Sequence, residues 1–128
     1  MNLLVDTQLL LWTVGQPARV PAAARELIEA PSTEPTFSTA SIWEIAIKAG
    51  LGRDDFRVDP ARLRRGLLRH GWSELPVLGA HAVAVAGLPP LHKDPFDRLL
   101  AAQALSEGLT LLTTDRRLAA YPGPIRLV

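Results

Sequence analysis

The chain contains no cysteine. That absence excludes a disulfide scaffold, a thiolate nucleophile and a Cys-ligated zinc site, and it fits a reducing compartment. Aromatic residues are few, at 5%, so a core must come from aliphatic side chains. No apolar run approaches the roughly 18 residues of a membrane span. Met1-Asn2 leads straight into an apolar segment without basic residues, so a secretory signal is not expected and a soluble, cytoplasmic chain is. No glycine-rich phosphate loop is present. His70, His81 and His92 have no metal-ligand spacing among themselves, and Ser38, Ser41 and Thr114 sit in no recognisable nucleophile motif. Lysine is scarce, two residues against twelve arginines.

What remains is a domain of ordinary size, 128 residues with 48% apolar and 21% charged side chains, which is the composition of a globular protein. The whole chain, 1–128, reads as a single domain, with no internal repeat, linker or low-complexity segment. Apolar runs at Asn2 to Val5, Thr36 to Ser38, Trp72 to Val77, Leu109 to Thr113 and Ile125 to Val128 predict strands. Helices are predicted over Thr7 to Val14, Pro21 to Ala30, Thr39 to Ala49, Asp59-Pro60 to His70, Ala80 to Ala86 and Asp94-Pro95 to Glu107, with a helical turn at Arg116 to Ala120. Pro21 suits a first helical position, and Gly71 and Gly108 suit helix ends. Ile42, Ile45, Ala46 and Ala49 follow helical spacing. With Trp43 and Ile47 on another flank, that helix is expected to be apolar nearly all round. Strands alternating with helices imply an α/β fold: a mostly parallel central sheet with helices on both faces.

Five carboxylates stand at the ends of these elements. Asp6 closes Leu3-Leu4-Val5, Glu44 interrupts an apolar helix, Asp94 and Asp97 frame Pro95-Phe96, and Asp115 closes Leu111-Leu112-Thr113-Thr114. Ligands of open parallel sheets bind at the carboxyl ends of the strands, where Asp6 and Asp115 sit. Clustered there, such acids form an oxygen-rich site for a hard cation, which points to metal-assisted chemistry on a phosphate ester. Each acid also has a plainer reading. Asp6 and Asp94 suit helix N-caps, Asp97 a first helical turn beside the dipole, and Glu44 an i, i+4 pair with Lys48. The formal net charge is only +1. With the five acids set aside, fourteen basic side chains face eight acidic ones. An acidic pit in a basic surround suits a polyanion, and GC-rich coding is the alternative source of the arginines. The helix bearing Arg62, Arg64, Arg65 and Arg69 reads as a solvated face that could also touch nucleic acid.

The segments Asn2-Leu3-Leu4-Val5-Asp6-Thr7, Ser41-Ile42-Trp43-Glu44-Ile45-Ala46-Ile47-Lys48, His92-Lys93-Asp94-Pro95-Phe96-Asp97-Arg98-Leu99-Leu100-Ala101-Ala102-Gln103-Ala104 and Leu111-Leu112-Thr113-Thr114-Asp115 resemble, in order and spacing, the PIN domain in its VapC-like toxin branch. The resemblance spans nearly the whole chain. It implies a Mg²⁺- or Mn²⁺-dependent ribonuclease, the toxin of a toxin–antitoxin pair. Asp6, Glu44 and Asp97 match the family's three core acids and Asp115 its more variable fourth. Asp94 would be a further ligand or a helix cap. Thr7, Ser41, Lys48 and Arg98 would be secondary contacts to nucleic acid. The implied partners are RNA, a cognate antitoxin lying across the groove, and a second copy of the chain, in a homodimer and a toxin–antitoxin hetero-oligomer without membrane. The apolar surface near Leu9, Leu10 and Trp12 and the acidic pit would receive the antitoxin, the pit taking an arginine. Two rivals keep the fold: a catalytically weak module that binds RNA or protein, and a DNA nuclease. A third rival, a phospho-receiver domain, is disfavoured by Thr7-Gln8 after the first acid, where a second acid is required, and by Thr113-Thr114 where a lysine is required.

Overall fold

Leu3, Leu4 and Val5 alternate sides of a strand, and both sides are fully buried. A computed structural model describes all residues, 1–128, and in it β1 (Asn2–Val5) is the middle of a five-stranded sheet. Leu3 and Val5 join Phe37, Ile45, Leu63 and Leu67 on one face. Leu4 joins Leu100, Leu111 and Leu118 on the other. A strand buried on both faces must lie between two layers of helices.

The strands run β1, β2 (Glu34–Ser38), β3 (Ser73–Leu75), β4 (Thr110–Thr113) and β5 (Ile125–Leu127), in spatial order β3-β2-β1-β4-β5. All four pairings are parallel, so the sheet is wholly and not merely mostly parallel. Pro35 is tolerated inside β2 because pairing with β3 starts only at Thr36. The helices are α1 (Thr7–Gly15), α2 (Ala22–Glu29), α3 (Thr39–Gly50), α4 (Pro60–Arg69), α5 (Gly79–Ala84), α6 (Pro95–Glu107) and α7 (Arg116–Ala119). Short 3₁₀ turns follow α1 and α5. No helix is long and apolar enough to cross a membrane.

Two expectations need correction. The α3 helix is not buried all round. It packs through Ala40, Ser41, Glu44 and Ile45, whereas Trp43 is 61% and Ile47 43% exposed. Four buried positions one turn apart fill one side of a helix and leave the other to solvent. Trp43 gains an edge-to-face contact with Phe96, centroids 5.2 Å apart. Nor is there an apolar acceptor surface at Leu9 and Leu10. Both lie wholly inside the core, and only Trp12 of that trio is partly open, covered by the Arg19 guanidinium at 4.8 Å.

The direction in which the strands are added across the sheet reverses at β1. The chain winds from β1 through β2 to β3, then crosses back to β4 on the other side. The crevice between the carboxyl ends of β1 and β4 is therefore the topological switch point, where open α/β sheets bind ligands.

Candidate active site

Four of the five acids are delivered by a helix start or a strand end. Asp6 follows β1 and caps α1: its Oδ1 accepts the Leu9 N–H at 2.8 Å. Its other oxygen, Oδ2, accepts the Thr113 hydroxyl at 2.5 Å. Asp115 follows β4 and caps α7 with Oδ1 at the Arg117 N–H, while Oδ2 faces His92. Asp94 caps α6, accepting the Phe96 and Asp97 N–H groups on a single oxygen. Capping and site formation are thus not alternatives at Asp6 and Asp115, because a carboxylate has two oxygens and a cap occupies one.

Glu44 differs. It is buried in α3, and its Oε2 pairs with Lys48 at 3.1 Å. Its Oε1 is buried with no hydrogen-bond partner. A buried carboxylate oxygen left without a partner is costly, and such atoms are rare in folded proteins. Glu44 lies near enough to Asp6 and Asp97 for its charge to raise the pKa of both.

Asp6 is pushed up to about 6, chiefly by burial; the Thr113 and Leu9 hydrogen bonds oppose this, and the charges of Asp115 and Glu44 add to it. Asp97 is pushed up to about 7, again first by burial and then by Asp94; His92 pulls it down, and Asp6 and Glu44 push it further. Partial burial also acts upward on Asp115, but the hydrogen bonds from the His92 ring and the Arg117 backbone N–H outweigh it and leave Asp115 below the ordinary carboxylate range. The crevice carries more negative charge than its own residues can balance.

His92 escaped the sequence reading and sits in the middle of the site. Its Nε2 lies 3.1 Å from Asp97 Oδ2 and 2.9 Å from Asp115 Oδ2. Its Nδ1 accepts the Asp94 backbone N–H at 3.1 Å. These contacts fix the tautomer: with Nδ1 accepting, the ring hydrogen is on Nε2 and is shared by the two carboxylates. His92, Asp97 and Asp115 offer ligand atoms within 4.8 Å of one another. A neutral His92 bound to a cation through Nε2 would have to carry its proton on Nδ1, against the Asp94 N–H. In the tautomer set by the Asp94 N–H, the free ligand atoms facing the crevice are carboxylate oxygens, and the His92 Nε2–H donates to two of them. The only local signal for it was its position two residues before Asp94.

The side chains expected to touch nucleic acid are mostly committed elsewhere. The Thr7 hydroxyl donates to Ser41 Oγ at 2.9 Å, and both residues are buried, tying α1 to α3. Arg98 donates to the Val85 and Pro89 carbonyls and to the Tyr121 hydroxyl, so it holds the segment before α6 in place and is not presented to solvent as a nucleic-acid contact. Tyr121 in turn accepts the His92 backbone N–H. Of the four, only Lys48 is exposed at the rim.

A hard divalent cation fits what is present. The carboxylates offer oxygen donors, one buried oxygen lacks any partner, and two carboxyls are pushed up to about 6 and about 7, chiefly by burial and further by neighbouring acids.

The fold has solved counterparts. VapBC2 from Rickettsia felis bound to a promoter DNA fragment superimposes with a TM-score of 0.73 at 14% identity, covering 99% of this chain and 98% of that one. A toxin–antitoxin complex from Klebsiella pneumoniae gives 0.65 at 18% identity, covering 96% and 94%. At those identities the likeness is one of fold. Sequence carries it further: Ribonuclease VapC22 of Mycobacterium tuberculosis is 31% identical over 125 residues, 96% of this chain and 94% of the relative. The PIN domain model matches residues 3–124, from the first buried residue of β1 to the turn before β5, and the chain belongs to the PIN domain family.

Proposed function

We propose that this protein is a Mg²⁺- or Mn²⁺-dependent endoribonuclease and the toxin of a toxin–antitoxin pair acting in the cytoplasm. The observation that carries the metal-dependent chemistry is the buried, unpartnered Glu44 Oε1 beside two carboxylates of raised pKa. The choice of RNA rests on the relative named a ribonuclease, and the antitoxin partner on the solved toxin–antitoxin complexes that share the fold.

In this reading Asp6, Glu44 and Asp97 hold the cation, with Asp115 and Asp94 completing the negative field. When bound, the cation supplies Lewis acidity at the phosphate and makes a water molecule acidic enough to attack near neutral pH. The protein's own groups set the geometry. Thr113 fixes Asp6, and the His92 N–H fixes Asp97 and Asp115 relative to each other. No side chain is positioned as a covalent nucleophile: Ser41 is bonded to Thr7, and Ser38 donates to Gln103 at 2.5 Å. In this reading the nucleophile is a water molecule and not either of these serines.

The test is cleavage of single-stranded RNA by the purified chain with Mg²⁺ or Mn²⁺, with chelator, and as Asp97→Asn. Cleavage only with the ion and the native acid is expected. Cleavage that persists in chelator would overturn the metal-dependent reading. Co-expression with the product of the adjacent small gene should yield an inactive complex, and a chain harmless in cells without any such partner would remove the toxin assignment.

A further inference from the structure

The α4 helix sorts its arginines. Arg64 turns to β3 and binds Glu74 through Nε at 2.5 Å and Nη2 at 3.0 Å. Arg62, Arg65 and Arg69 are spaced i, i+3, i+7 and so share a stripe, and they line an open groove of about 600 Å³ together with Val14, Gly15 and Arg57. All three are exposed and none is in an ion pair. The one acid in that groove, Asp59, is occupied in capping α4 through the Ala61 and Arg62 N–H groups. Like charges three and four residues apart on a helix repel one another, and here no ion pair relieves the stripe, with one carboxylate, Asp59, against four arginines in the groove.

This groove is continuous with another. It shares Gly15, Arg57 and Val58 with a second groove of about 450 Å³ that follows α1 back through Trp12 and Leu11 to Gln8 and ends at Lys48, the partner of Glu44. Gln8 is two residues from Asp6. The nine residues of α1 cover roughly 13 Å at 1.5 Å per residue, which sets the scale of the path. Arg19 and Lys48 add positive charge along it. Asp55, also on the path, is paired with Arg53.

We propose that the backbone of a single-stranded RNA leaves the carboxylate cluster past Lys48, follows α1, and is held by its phosphates on the Arg62–Arg65–Arg69 stripe. This rests on the ribonuclease reading and adds to it where the substrate lies. Guanidinium groups match phosphate in fork geometry and are weakly hydrated, so an unpaired row of them recognises a polyanion without reading bases. The path would make the enzyme favour long chains over very short ones.

The experiment measures binding of a labelled, mixed-sequence single-stranded RNA to the full chain in chelator, across a salt series. The triple variant Arg62→Ala, Arg65→Ala, Arg69→Ala should bind on the order of tenfold or more weakly, and its dependence of log affinity on log salt should flatten by about 2, at about 0.7 per lost phosphate contact on a single strand. The matching triple lysine variant should keep most of the slope. Arg64→Ala and Arg126→Ala each remove one charge elsewhere and should leave the slope unchanged. If the wild type cleaves RNA but the triple alanine variant binds with unaltered affinity and slope, the path is wrong and the ribonuclease reading stands. If that variant keeps RNA but no longer binds the product of the adjacent gene, the groove belongs to a protein partner and the inference falls. If the wild type neither binds nor cleaves RNA, both fail together.

Discussion

Two histidines in this chain are held alike and surrounded differently. His81 accepts the Leu78 N–H on Nδ1 at 3.0 Å and meets Glu107 Oε1 with Nε2 at 2.6 Å. His92 accepts the Asp94 N–H on Nδ1 and meets two carboxylates with Nε2. Around His81 the partners close: Gln103 donates to the Pro76 carbonyl and accepts from Ser38, which accepts the Ala40 N–H. Around His92 they do not close. Two carboxylates meet the imidazole, the charges of Asp94, Asp6 and Glu44 reach Asp97, two acids carry raised pKa values, and a buried Glu44 oxygen has no partner. A satisfied buried network specifies structure. An unsatisfied one with surplus charge of one sign is a site awaiting a counter-charge.

The comparison breaks first at the acids. Asp97→Asn and Glu44→Gln should each lower RNA cleavage by roughly three orders of magnitude or more, while their melting temperatures in chelator stay level or rise because repulsion is relieved. Added Mg²⁺ or Mn²⁺ should stabilise the wild type by mass action, about 2.7 kcal/mol at a hundredfold excess over Kd, and should not stabilise these variants. A wild-type melting temperature indifferent to millimolar cation would count against the site. At the closed network the pattern should invert. Gln103→Leu strands the Ser38 hydroxyl and the Pro76 carbonyl, and should cost roughly 3 kcal/mol of stability while the cation-induced shift survives. Urea titration with and without Mg²⁺ separates the two.

How much of this was legible beforehand follows from which forces are local. Helix starts were readable because caps are local: Asp6, Asp59, Asp94 and Asp115 all cap the helices placed after them. The parallel sheet was readable from strand–helix alternation and from runs such as Leu3-Leu4-Val5 that could only be buried on both faces. The predicted strand over 72–77 shrank to Ser73–Leu75 because Pro76 has no N–H to give a ladder. The exposure of Trp43 and Ile47 was not readable, since periodicity gives the faces of a helix and not which of them meets solvent. His92 was not readable because its partners Asp97 and Asp115 come from α6 and from the end of β4, and only the sheet order brings those together.

Titration gives an effect with a definite sign. Asp6 and Asp97 have folded pKa values of about 6 and about 7 against an ordinary value of 3.8. Folding favours their protonated forms, so their contribution to stability is whole below about pH 4 and is lost as pH rises through 6 and 7. For Asp6 the loss is on the order of 3 kcal/mol. Asp115 and Glu74 shift downward, so what they lose is lost below pH 4, outside this range. Melting in chelator between pH 4 and 8 should therefore show stability falling with pH, and Asp97→Asn should flatten the slope. A slope that rises in the cation-free wild type would mean that the carboxylates are already neutralised by the protein.

The smallest effect separates the two histidines themselves. If His92 orients Asp97 and Asp115 without binding the cation, His92→Ala should lower cleavage about 10- to 100-fold, the range for residues that aim metal ligands. The loss should fall on kcat more than on KM, because the substrate path along α1 is untouched. The cation-induced rise in melting temperature should persist, shifted to higher cation concentration. His92→Gln carries an amide N–H on a side chain of similar reach and should recover part of the rate. Loss of cation stabilisation in His92→Ala as complete as in Asp97→Asn would make His92 a ligand, and the tautomer fixed by the Asp94 N–H would then have to reverse on cation binding. An unchanged rate would mean that Asp97 and Asp115 hold their orientation through the α6 and α7 helix starts alone.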